Sequence, residues 1–194
     1  CAVFLTRFKK IMTPALQQRL PRDFIVQALE SSFDEAATSV LTAGFECEVN
    51  GCTALICFIH DQFLYSVNLG DVKLVVGEKH IQGFVSQHLS FDHTMNNSKE
   101  AYRIQTGKVQ SNNQSSISVE RQQTELQKTP LALTRAIGCT ASQHFGLIRV
   151  PEIRAFRLSS YDKYLIIGSQ AIFSNFSAET ILSFLYEQGT KAAS

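Results

Sequence analysis

The side chains here whose types and spacing suit chemistry are Cys52, Cys57 and His60, the adjacent Asp92 and His93, and Asp71. Two thiolates and an imidazole are zinc donors. Strand alternation, however, puts Cys52 and Cys57 on opposite faces, and no second CxxC or HxxxH pair completes a set of four. Both cysteines are therefore expected as core thiols, since free Cys is among the most buried residue types. Asp92 and His93 in SFDHT offer a carboxylate beside a base, but no nucleophile motif such as GxSxG accompanies them, and a local hydrogen bond is the expected use. Arg135, in LALTRAIG, is expected to anchor the scaffold through its fork of donors.

The elements that must position these groups start with the stretch 51–76, GCTALICFIHDQFLYSVNLGDVKLVV. Its apolar runs at 54–59, 63–67 and 72–76 are rich in β-branched and aromatic residues, and they predict a three-stranded antiparallel meander. His60-Asp61-Gln62 and the Asn, Gly and Asp of 68–71 supply the reversals. Upstream, 1–5 is short and strand-like, and 9–20 and 23–43 carry apolar residues at helical spacing, with Asp23 expected to cap the second helix. Downstream, 80–89 predicts a strand pair turning at Gly83. A short helix is expected over 98–105, capped by Ser98 and stopped by Gly107. Residues 111–127 are polar and of low complexity and predict an exposed excursion. Strands at 152–158 and 163–168 flank a turn, and a helix over 177–188 is capped by Ser177 and ended by Gly189.

The 18 basic and 17 acidic residues leave a formal charge of +1, so nothing electrostatic favours nucleic acid or an anionic membrane as partner. No run reaches the ~20 apolar residues that span a bilayer. Cys1, Cys47, Cys52, Cys57 and Cys139 lack CxxC spacing and point to reduced thiols in the cytoplasm. The 194 residues suit one domain, and the start at Cys1, inside a strand-like run, predicts truncation at both ends.

The motifs also carry a resemblance. The segment 51–76 resembles GSTA…LYVANVGDSRAVL of the metal-dependent serine/threonine protein phosphatases of the type 2C family. LSFDH at 89–93 (family LSxDH), EAYRI at 100–104 (ExxRI), LALTRAIG at 131–138 (LAVTRAFG), PEI at 151–153 and LIIGS at 165–169 (LILASDG) follow in register. The resemblance implies an α+β fold: a four-layer αββα sandwich of two antiparallel sheets flanked by helices, one domain over 1–194.

The family's reaction implies two divalent Mg or Mn ions bridged by a hydroxide, and such ions need several convergent carboxylates. The bridging Asp of the family opens DGHGG after a strand like FAVYDGHGG. Here the aligned run is CAVF followed by Leu5, Thr6, Arg7, Phe8 and Lys9, so Leu5 replaces the Asp and Arg7 replaces the His assigned to leaving-group protonation. Gln170 stands at the Asp of SDG. Asp71 is retained and corresponds to a peripheral third metal position, with Lys73 for the usual Arg. Cys139 replaces an Asp after LAVTRAFG, in a shortened flap segment. The resemblance thus implies a degenerate site at Leu5, Thr6, Arg7 and Gln170 with no bound metal and no catalytic residue. The expected function is that of a pseudophosphatase serving as scaffold, adaptor or regulatory protein-binding module, with protein partners met through Arg7 and Lys9 or through 111–127. The alternative is a divergent active phosphoserine/phosphothreonine phosphatase drawing ligands from residues beyond the two ends and from Asp71, Asp92 or Asp162.

Overall fold

The computed structural model describes residues 5–6, 8–10, 21–111 and 133–192. Two compact units are present: the described residues of Cys1–Thr53 with His93–Val150, and those of Ala54–Asp92 with Pro151–Ser194.

The first unit holds helix α1 (Arg22–Thr42), strand β1 (Gly51–Cys52), helix α2 (Ser98–Ser111) and strand β6 (Ile137–Gly138), which pairs antiparallel with β1. The α1 stripe Ile25, Ala28, Leu29, Phe33 and Ala37 is buried, as its spacing predicts. Pro21 occupies the N-cap and no side chain caps the helix, so Asp23 belongs to the first turn and is not the cap. At α2 the cap is Asn97, whose Oδ1 accepts the Lys99 N–H at 3.1 Å, and not Ser98. The helix also runs through Gly107 to Ser111. An interior glycine costs only about 1 kcal/mol, too little to stop a helix by itself. Of the predicted strand over 1–5 only Leu5 is described, and it is helical, as is Thr6; 8–10 are helical too, in line with the helix expected from Lys9. Its remainder, most of the 9–20 helix and the 111–127 excursion beyond Ser111 lie outside the described residues.

The second unit contains β2 (Ala54–His60), β3 (Phe63–Leu69), β4 (Lys73–His80), β5 (Gly83–His88), β7 (Glu152–Arg157) and β8 (Asp162–Gly168), with the short helix α3 (Gln170–Phe173) and helix α4 (Ala178–Ala192). The strands form two antiparallel sheets, ordered β2-β3-β7 and β5-β4-β8. The expected meander is therefore split. β2 and β3 form a hairpin through Asp61, at φ 53°, and Gln62, but β4 leaves for the other sheet after Gly70, at φ 102°. The physical reason lies in burial: β3 and β4 are each buried almost throughout, as central strands covered on both faces are. The strand pair expected within 80–89 is likewise β5 alone, paired with β4. The late strands around 159–162 also divide between the sheets, β7 on β3 and β8 on β4.

Leu64 of β3 faces Leu74 and Val76 of β4 and Leu89 across the sheets, with Leu55, Cys57 and Phe156 packed at the margin. On the other side of β4, Gly77 sits under α4 at a register shift in the β4–β8 ladder. A Cβ at Gly77 would run into Leu182, which is fully buried. Ser177 caps α4 as expected, its Oγ accepting the Thr180 N–H at 3.1 Å, whereas the helix passes Gly189 and reaches Ala192. No described helix is long and apolar enough to cross a membrane.

Gly77→Ala is expected to destabilise the protein by roughly 1–3 kcal/mol through overpacking. In a Leu182→Ala background the same change is expected to cost clearly less, because the clash partner is gone. Urea unfolding of the four variants of this cycle reads both values.

Candidate functional site

The link between β3 and β4 carries the retained acidic position and is laced to the segment after β5. Asn68, almost fully buried, donates from Nδ2 to the Phe91 carbonyl at 2.9 Å. The Leu74 N–H donates to Ser90 Oγ at 2.8 Å, and Lys73 Nζ donates to both carboxylate oxygens of Asp92 at 2.8 and 2.6 Å. Arg154 stacks its guanidinium 3.9 Å above the Phe91 ring and pairs with Glu152. Asp71, half-buried, stands in this link two residues from Lys73. The cationic end of Lys73 is thus committed to Asp92, which ties the LSFDH motif to the start of β4.

The positions singled out by motif register are placed as follows. Leu5 is 52% exposed in helical backbone, Thr6 beside it is exposed, and Lys9 is exposed. Arg7 lies outside the described residues. Gln170 is the first residue of α3 and exposed, and its backbone carbonyl accepts the Ser174 N–H at 2.9 Å. Among the described residues no group of three or more His, Cys, Asp or Glu side chains is placed to hold a metal ion. Leu5 has no donor atom, and the Gln170 amide brings no charge. The donor set at these two positions does not fit a pair of hard divalent cations.

A buried ionic network was not foreseen as such from the sequence. Glu100, only 2% exposed, lies at the start of α2. Its Oε2 accepts from Arg103 Nη2 at 2.8 Å and from Thr134 Oγ1 at 2.7 Å. Its Oε1 accepts from Arg135 Nη2 at 2.5 Å and Nε at 3.1 Å, the fork expected of Arg135. Both arginines continue to backbone carbonyls, Arg103 to Gly146 at 2.7 Å and Arg135 to Val150 at 2.9 Å. His93, also buried, accepts the Thr134 N–H on its carbonyl at 2.9 Å.

The sequence model of the family described as protein phosphatase 2C matches residues 6–193. The chain belongs to the protein phosphatase 2C family. It is 30% identical over 154 residues to a probable protein phosphatase 2C 72 of Arabidopsis thaliana, covering 77% of this chain and 46% of that protein. With protein phosphatase 2C homolog 2 of Aspergillus flavus it shares 27% identity over 187 residues, 88% of this chain and 38% of that protein. The chain thus spans less than half the length of these curated relatives. The fold matches a serine-threonine phosphatase 2C from Toxoplasma gondii at a TM-score of 0.75 and 15% identity, over 98% of this chain and 68% of that one. A C. elegans sex determining protein matches at 0.64 and 20% identity, over 90% and 40%.

Within this protein phosphatase 2C chain, EAYRI and LALTRAIG are therefore two halves of one structural device, since Glu100 and Arg103 of the first clasp Thr134 and Arg135 of the second. Burial alone pushes the Glu100 carboxyl up, but the hydrogen bonds from Arg135, Arg103 and Thr134 and the Arg135 charge outweigh it and bring it down to about 2. A depressed carboxylate pKa contributes stability that is complete above the ordinary value near 4.5 and is lost as the pH falls through about 2. Cys57 packs at the core margin as expected, while Cys52 is exposed and is not the core thiol the strand reading made it.

Glu100→Gln is expected to destabilise the protein by roughly 2 kcal/mol at pH 7, because two half-buried guanidinium groups lose their buried counter-charge. The difference from the parent should shrink as the pH drops from 4.5 toward 2, as chemical denaturation across that range would show.

Proposed function

We propose that this chain retains the protein phosphatase 2C architecture without its hydrolytic reaction, and that it acts as a pseudophosphatase: a scaffold, adaptor or regulatory module that binds other proteins. One observation carries the reading: Leu5 and Gln170 stand at the two positions that motif register assigns to metal-binding aspartates. A binuclear Mg or Mn centre gathers dications that repel one another strongly, and only convergent negative oxygens offset that repulsion. An aliphatic side chain and a neutral amide supply none, while Arg7 and Lys9 add positive charge close to the first position. On this reading the protein needs no metal cofactor. It works in the cytoplasm on protein partners rather than nucleic acid or membrane, and the basic residues Arg7 and Lys9 contribute to partner contact.

The competing reading, a divergent active phosphoserine/phosphothreonine phosphatase, draws its support from the phosphatase names of the relatives and from the retained Asp71. That reading needs carboxylates such as Asp71, Asp92 or Asp162 to serve a centre the family builds elsewhere, yet Asp92 is bonded to Lys73 and Asp162 Oδ2 accepts the Ser159 N–H at 2.5 Å.

The two readings part in one experiment on the full-length protein, a chromogenic phosphomonoester assay in millimolar manganese run beside a thermal melt. The pseudophosphatase reading predicts hydrolysis no faster than the protein-free blank and a melting temperature unmoved by the ion. Manganese-dependent turnover with a rise of several degrees would establish the enzyme instead.

A further inference from the structure

The connection from α1 to β1 leaves large apolar side chains in solvent, yet its backbone is held from two sides. α1 ends at Thr42, and Gly44, at φ 81°, makes the left-handed exit that brings Phe45 round. The Cys47 N–H donates to the Phe45 carbonyl at 2.8 Å, and the Cys47 thiol donates at 3.9 Å to the Val40 carbonyl in the last turn of α1. The segment after β6 clamps the other side. The N–H groups of Cys139, Thr140 and Ala141 donate to the carbonyls of Asn50, Cys47 and Glu48 at 2.8, 3.0 and 3.1 Å. Between these anchors lies an open cleft of about 510 Å³, lined by Leu41, the loop 45–49 and Thr140. Phe45 is 68% exposed and Val49 60%. A loop already fixed by its own hydrogen bonds loses little conformational freedom when a partner covers it.

The charge around the cleft is one-sided. Residues 23–50 contain six acidic residues and no Lys, Arg or His, in a chain whose formal charge is +1. Of the six, Asp34 is met by Arg149 at 3.3 Å. Glu46 and Glu48 line the cleft, are exposed, and enter no ion pair among the described residues. α1 ends at the same place, and its last turn holds no basic residue to offset the negative end of the helix. Two carboxylates and a helix C-terminus favour a cation, and Phe45 offers a ring face on which to stack it. A planar guanidinium suits both, whereas an ammonium is more strongly hydrated and lacks the flat face. The apolar wall at Leu41 and Val49 suits an aliphatic side chain beside that cation.

We propose that this cleft is a docking site for a segment of another protein in which arginine stands next to an aliphatic residue. The guanidinium pairs with Glu46 and Glu48 over the Phe45 ring, and the aliphatic side chain covers Val49 and Leu41. The partner chemistry is opposite in charge to what Arg7 and Lys9 attract. It does not depend on whether the chain hydrolyses phosphate esters, so the manganese assay and the docking test stand or fall separately.

The test reads fluorescence anisotropy of labelled hexapeptides titrated with the full-length protein. The probe alternates leucine with arginine, and the controls alternate leucine with glutamate and glycine with arginine. The expected result is saturable binding of the leucine-arginine peptide, at least tenfold tighter than either control and weakened by added sodium chloride. Phe45→Ser should weaken that binding at least tenfold. Glu46→Lys combined with Glu48→Lys should abolish it and should let the leucine-glutamate peptide bind instead, a gain that misfolding does not produce. All three positions are exposed, so the variants should melt with the parent. A leucine-arginine peptide that fails to bind, binds no better than the glycine-arginine control, or keeps its affinity in both variants would overturn the proposal. Should a variant melt early, a photo-crosslinking leucine-arginine peptide on the unsubstituted protein decides: crosslinks within 41–49 or at Thr140 support the site, and crosslinks confined elsewhere overturn it.

Discussion

Two sheets stay face to face only while apolar side chains fill the space between them, and here Leu64 on one sheet, Leu74 and Val76 on the other and Leu89 just after β5 do so. Everything in the second unit follows from keeping that layer closed. The chain must supply a central strand to each sheet, and it does so with β3 and β4 in succession, separated by only Gly70, Asp71 and Val72. So short a crossing forces a sharp exit from β3, which Gly70 makes with a backbone angle that other residues avoid. The exit is then pinned by Asn68, Lys73 and Leu74, which reach the segment 90–92 through side-chain hydrogen bonds. The NLGD and LSFDH motifs therefore belong to the same joint.

The first unit adds a buried charge cluster to the apolar filling that α1 supplies. One buried carboxylate, Glu100, accepts hydrogen bonds from two guanidinium groups and a hydroxyl, and those arginines go on to satisfy two loop carbonyls. Such a device fixes the relative placement of α2 and the 134–150 segment beside the buried Ile104, Ala136 and Leu147. It also ties two of the family motifs, EAYRI and LALTRAIG, to one structural task. Glu100, Arg103, Thr134 and Arg135 answer to the fold.

Much of this was legible in the residues. The apolar runs gave β2 and β3, Asp61 and Gln62 gave the hairpin between them, and the 3.6-residue spacing gave α1 and α4. Alternation cannot reveal which sheet a doubly buried strand joins, so the departure of β4 was hidden, as was the division of β7 from β8. Adjacent cap formers could not be told apart, and Asn97 took the place given to Ser98. Gly107 and Gly189 were read as stops although a lone glycine inside a helix is tolerated when neighbouring residues propagate it. The Glu100 network was visible only as separate motifs, because its members lie more than thirty residues apart and nothing in either segment names the other. The proposal about Leu5 and Gln170 draws on family register alone.

The central claim is that negative oxygens are missing where two dications would have to sit. Manganese titration calorimetry on the full-length protein tests it most directly, since it counts bound ions without relying on turnover of a chosen substrate. The account predicts no saturable heat at micromolar to low-millimolar manganese. Two ions bound per chain, with heats that vanish on adding a chelator, would contradict it.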